Sequence, residues 1–140
     1  EDEALALVDR YRTPRPRLAL GKALRGLATA AIDVSDGLVA DLGHICATSA
    51  VAATLDASAL PLSPVARGVP GAREAALAGG DDYELLFTGP THRRPEIAAL
   101  AARLDHRLTR IGGISVGSGV KVHDGAGNEI VVEHGGWSHF

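Results

Sequence analysis

A chain of 140 residues, 46% apolar and 22% charged, has the size and make-up of one globular domain and not of a disordered segment. Its 17 acidic and 14 basic side chains leave a formal charge of −3 with the arginines scattered, which excludes the basic face that a nucleic-acid partner needs. A single cysteine forms no internal disulfide and no apolar run approaches the ~20 residues of a membrane span, so a cytoplasmic protein with no membrane partner is expected.

The start, Glu1-Asp2-Glu3, is unlike a signal peptide. Methionine is absent, so the initiator is expected to be removed or to lie upstream, and the chain is expected to be a piece of something longer. Residues 1–12 read as a helix with Leu5 and Val8 on one face. Pro14 and Pro16 then interrupt it, since each removes a backbone donor and turns its neighbour toward extended geometry. Residues 1–15 are therefore expected to be an N-terminal helix and linker, and 16–140 the domain proper. A second helix spans about 17–24, ahead of Gly26. A buried strand follows at 29–33. The stretch 36–49 is helical, with apolar residues at 38, 39, 42, 45 and 46 on one stripe. Residues 51–55 read as a strand, and 71–78 as a short helix ended by Gly79-Gly80. The strongest strand signal is 83–88.

Thr91 and Pro95 open another helix, with Ile97, Leu100, Ala101 and Leu104 in register. Strands near 107–114 and 119–123 lead into a hairpin turned at 124–127, with a return strand at 129–132. Residues 112–119 are glycine-rich, but Ser118 stands where a P-loop needs lysine, so a hairpin turn is the expected role. The fold class expected is α+β: a mixed, mainly antiparallel sheet with helices packed on one face.

Two acidic motifs stand out. In Ala31-Ile32-Asp33-Val34-Ser35-Asp36-Gly37-Leu38 an apolar strand ends in Asp33 and a helix begins near Asp36, so both carboxylates can project from one end of the sheet. Oxygen ligands of this kind suit Mg²⁺, with phosphate oxygens completing its shell. Backbone N–H groups at the helix start favour phosphate, and Ser35 can reach one. The plainer alternative is that Ser35 and Asp36 merely cap the helix. The second motif is Gly79-Gly80-Asp81-Asp82-Tyr83-Glu84-Leu85-Leu86-Phe87. Glu84 among apolar neighbours needs a partner: a metal, a cationic ligand or an arginine. Alternatively the three acids sit on a solvated sheet edge. Trp137, the only tryptophan, either packs the terminus or stacks on a planar or cationic ligand. Cys46 lies on the apolar stripe and reads as packing. The six histidines lack zinc-site spacing.

Taken together, these motifs resemble the C-terminal domain of bacterial thiamine-monophosphate kinase, within the aminoimidazole ribonucleotide synthetase-like superfamily. The resemblance runs from Pro16-Arg17 through both acidic motifs, Asp41-Leu42-Gly43-His44-Ile45, Leu60-Pro61-Leu62-Ser63 and Ile111-Gly112-Gly113 to the closing Gly136-Trp137-Ser138-His139-Phe140. It implies transfer of the terminal phosphoryl of ATP to thiamine monophosphate, with Mg²⁺ neutralising the crowded anions. Carried over by position, Asp33 and Asp36 are implied Mg²⁺ ligands and Ser35 a nucleotide contact. Glu84, Trp137 and Asp82 are implied to hold thiamine monophosphate. An N-terminal domain supplying further ligands and a homodimer interface is missing, so the piece is expected to be inactive alone. The competing expectations are another superfamily enzyme, such as selenophosphate synthetase, and a binding module without turnover.

Overall fold

Proline placement sets the first boundary. Helix α1 (Asp2–Arg12) stops ahead of Pro14, and α2 (Leu18–Ala23) starts only after Pro16. The computed structural model describes residues 2–132. After α2 come β1 (Ala30–Asp33), α3 (Leu38–Ser49), β2 (Ala52–Asp56), α4 (Pro64–Arg67), α5 (Ala72–Ala78), β3 (Leu85–Thr88), α6 (Arg94–Arg103), β4 (Gly112–Ser115), β5 (Gly119–His123) and β6 (Glu129–Ile130). Most lie within a few residues of their expected places; α4 forms in a stretch for which no element was expected, and β4 begins five residues after its expected start. The expected strand 83–88 begins only at Leu85, which leaves Tyr83 and Glu84 in the loop before it.

The strands divide between two sheets. In the smaller, β1 and β3 run antiparallel, with Ile32 opposite Leu86 and Asp33 opposite Leu85. Alternation along β3 sends side chains to opposite faces. Leu86 joins the main core with Leu38, Leu42 and Leu77, whereas Leu85 and Phe87 join a second cluster around Leu20, Leu24 and Leu100. The ladder therefore has α3 and α5 on one side and α2 and α6 on the other, which explains the uninterrupted apolar run of β3.

The larger sheet has the order β4-β2-β5-β6. Its buried residues Ala53, Leu55 and Val122 pack with Leu42, Ile45 and Cys46 of α3, while Thr54 and Lys121 remain exposed. Helix cover on one face, as expected, holds for this sheet. The glycine-rich connection 112–119 differs from its expected role as a plain hairpin turn. β4 is antiparallel to β2 and β5 is parallel to it, so β2 lies between them and the chain crosses its end at Ala52. Ser115 and Gly119 both pair with Ala52. Gly117 and Gly119 take positive φ of 131° and 78° in making that crossing. The turn after β5 is the hairpin that was expected: Asp124 accepts the N–H groups of Ala126 and Asn128 at 2.9 Å each.

Candidate functional site

The two acidic motifs, far apart in sequence, meet at one end of the β1–β3 ladder. Beyond the strands the pairing continues in the loops. The Val34 N–H donates to the Glu84 carbonyl at 2.8 Å, Tyr83 N–H to Val34 at 2.8 Å, and Asp81 N–H to Ser35 at 2.9 Å. Glycine permits this approach. A Cβ on Gly80 would stand 2.3 Å from the Ser35 carbonyl oxygen, and one on Gly37 would stand 2.9 Å from that of Ala78. Asp81 and Tyr83 both adopt left-handed backbone, at φ 66° and 50°. Such conformations cost on the order of 1–3 kcal/mol for non-glycine residues and gather at functional sites.

The loop between β1 and α3 is built differently from its expectation. Ser35 does not cap the helix: the N-cap is Gly37, at φ 133°, with no side-chain cap. Instead Asp41, in the first turn of α3 and only 2% exposed, reaches back. Its Oδ2 accepts the N–H groups of Ser35, Asp36 and Gly37 at 2.9, 3.0 and 3.3 Å. These three donors, just ahead of the helix, are thus already engaged from inside the protein. Asp33 is exposed at the end of β1, and Asp36 is partly buried in the loop. His44, one turn after Asp41, brings Nε2 to 3.9 Å from Asp36 Oδ2. Among the described residues, Asp36, Asp41 and His44 are the three whose ligand atoms all fall within 4.8 Å of one another. Sequence reasoning set the histidines aside and gave Asp41 no role. The signal was present in the i, i+3 spacing of Asp41 and His44 on a helix that starts beside Asp36.

For Glu84 the partner is arginine. Arg17 holds it in a two-pronged grip, Nε to Oε2 at 2.9 Å and Nη2 to Oε1 at 2.8 Å, and Arg10 of α1 also contacts Oε1. Bidentate pairing of this kind is the strong form of the charge-assisted hydrogen bond. The Arg17 hydrogen bonds, with the Arg10 charge added, hold the Glu84 carboxyl below its ordinary range. A group with a depressed folded pKa contributes stability above its ordinary value and loses it as pH falls through the folded one. Melting temperature is therefore expected to fall across that acidic window. Glu84→Gln should flatten that part of the profile, and an unchanged profile in the variant would assign the acid limb to other groups. The effect is modest because Glu84 is half exposed.

Asp82 is exposed, next to this pair, and its carboxyl is raised by partial loss of water and by the Glu84 charge. Neighbouring Tyr83 donates its hydroxyl to Asp81 at 3.1 Å. Trp137 lies outside the described residues. Cys46 is packing, as expected: it is buried, and burial pushes its thiol pKa up. No helix is long and apolar enough to cross a membrane, among the described residues.

No family model matches the chain. Thiamine-monophosphate kinase of Salmonella typhimurium is 40% identical over 145 residues, covering 100% of this chain and 44% of the relative. The chain is homologous to part of the thiamine-monophosphate kinases. The crystal structure of thiamine-monophosphate kinase from Stenotrophomonas maltophilia is 55% identical, with a TM-score of 0.75 over 78% of this chain and 35% of that one. A structure of AaThiL complexed with AMPPCP and TMP is 35% identical, with a TM-score of 0.78 over 97% of this chain and 41% of that one. The chain therefore spans less than half the length of the thiamine-monophosphate kinases it matches. The likeness carries the α+β fold of helices and mixed sheet expected from the family.

Proposed function

We propose that the chain is the C-terminal, substrate- and metal-binding part of a cytoplasmic kinase that moves the terminal phosphoryl of ATP onto thiamine monophosphate, giving thiamine diphosphate and ADP. The observation that carries this reading is the likeness, over 97% of the chain, to a structure holding AMPPCP and TMP. AMPPCP is an ATP mimic, and we read TMP as thiamine monophosphate.

Asp33 and Asp36 would hold Mg²⁺. The donor set fits, since both offer hard carboxylate oxygens and the neighbouring N–H groups, which would draw a bare anion, are engaged by Asp41. When bound, the cation supplies charge neutralisation between acceptor and donor phosphates. Ser35, whose N–H is held by Asp41 and whose carbonyl is held by Asp81, would contact the nucleotide. Glu84 faces the cationic ring of thiamine. Arg17 keeps the carboxylate oriented through its fork, while Arg10, on the exposed side, is the partner that a cationic ring displaces. Asp82 adds negative charge to the same end of the ladder, and the role assigned to Trp137, outside the described residues, would be to stack on the ring. Further ligands and a homodimer contact would come from an N-terminal domain.

Half of a composite site positions only half of the reactants, and phosphoryl transfer is mostly positioning. The 140-residue chain with ATP, Mg²⁺ and thiamine monophosphate is accordingly expected to form no thiamine diphosphate, while the parent polypeptide does. Turnover by the short chain would refute the half-site assignment. A parent that binds aminoimidazole precursors in preference to thiamine monophosphate would refute the substrate.

A further inference from the structure

Three N–H groups converging on one point form a nest for an anion. At residues 35–37 that anion is a side chain of the protein itself. We propose that Asp41 is the positioning residue of the acidic loop: its carboxylate fills the nest from within and sets Asp36 for a divalent cation. This rests on the reading of Asp33 and Asp36 as cation ligands.

The geometry is reciprocal. Asp41 donates its own N–H to the Gly37 carbonyl at 2.9 Å, while its side chain accepts the Gly37 N–H, so the loop is tied to the first turn of α3 at both levels. Three consecutive peptide planes are fixed by one oxygen atom, and with them the directions in which Ser35 and Asp36 leave the backbone. The buried carboxylate gains three donors, which a group only 2% exposed needs. A second consequence follows for these three donors: with the N–H groups of Ser35, Asp36 and Gly37 engaged by Asp41, they are not open to a phosphate.

Asp41 also lies within ligand reach of Asp36 and His44, and so it competes for a different role, that of ligand. One detail separates the two. All three hydrogen bonds end on Oδ2, so the carbonyl oxygen of an asparagine can accept all of them, whereas alanine leaves three N–H groups unpaired. A ligand role is impaired by both substitutions; a positioning role is rescued by asparagine.

The test uses the ¹⁵N-labelled chain with Mg²⁺ as the probe, reading amide exchange at Ser35, Asp36 and Gly37 and the Mg²⁺-dependent shifts of the same amides. Wild type and Asp41→Asn are expected to protect these amides and to titrate within a few-fold of each other. Asp41→Ala is expected to expose them and to weaken Mg²⁺ about 10–100-fold, the usual effect of removing a group that orients a ligand. An Asn variant that keeps its amide protection but loses the Mg²⁺ response overturns positioning in favour of ligation. An Ala variant that titrates like wild type overturns it outright. If the Ala variant does not fold, the Asn variant alone decides by the same criterion. Absence of any Mg²⁺ shift in wild type overturns the cation reading and the role built on it, whereas the two preceding results leave that reading standing.

Discussion

Asparagine at both Asp33 and Asp36 in the parent polypeptide is expected to lower thiamine diphosphate formation by at least about 100-fold while leaving the fold intact. The substitution keeps shape and one oxygen at each site and removes both charges, so it isolates electrostatics from packing. Asp33 is exposed and Asp36 only partly buried, so neither is a core element whose loss unfolds the domain. In the proposed reaction a phosphate attacks a polyphosphate, and a cation that neutralises these charges contributes several kcal/mol to the transition state. Each 1.36 kcal/mol is a tenfold change in rate, so losing that contribution exceeds two decades. Single-turnover measurement with ATP and Mg²⁺ reads the chemical step. The loss should appear in the rate of that step, with thiamine monophosphate affinity changed far less, because Glu84 lies on the other loop. Undiminished turnover in the double variant would remove the basis for assigning this loop to a cation.

The loop illustrates what sequence made legible and what it did not. Strand, turn and helix around Asp33 and Asp36 follow from local pattern: an apolar run, then Ser-Asp-Gly, then apolar residues at helical spacing. The meeting of the two motifs follows only from the pairing of β1 with β3, which no local pattern specifies. Ser35 fits the composition rule for a helix cap, yet the structure uses Asp41, because a buried carboxylate four residues into the helix satisfies three donors where a serine hydroxyl satisfies one. For Glu84, sequence required a partner and left its kind open; Arg10 comes from the helix read at 1–12 and Arg17 from the start of the second helix, neither of which was read as part of the site. The glycines of 112–119 signalled a turn correctly, but composition does not reveal that a third strand lies inside it. For Glu84 and the glycines the residue type was informative and the distant partner was not.

Gly80→Ala is expected to destabilise the chain by about 2–4 kcal/mol, on the order of 10 °C in melting temperature. Gly80 does not have a positive φ, so the cost does not come from conformational strain. It comes from proximity: the new methyl would stand 2.3 Å from the Ser35 carbonyl oxygen and 3.4 Å from the Asp36 carbonyl carbon, both backbone atoms that cannot turn aside. Relief requires the two loops to separate, which breaks the Asp81-to-Ser35 hydrogen bond and loads the Tyr83-to-Val34 bond next to it. Gly43, inside α3 with nothing within 4 Å of its would-be Cβ, provides the opposite sign. Gly43→Ala should raise stability by about 0.5–1 kcal/mol, since alanine loses less backbone entropy in a helix. Urea melts of the two variants side by side separate close approach from generic glycine effects. If Gly80→Ala melts with or above wild type, the loops part at little cost, and the apposition of the two acidic motifs is not what this glycine serves.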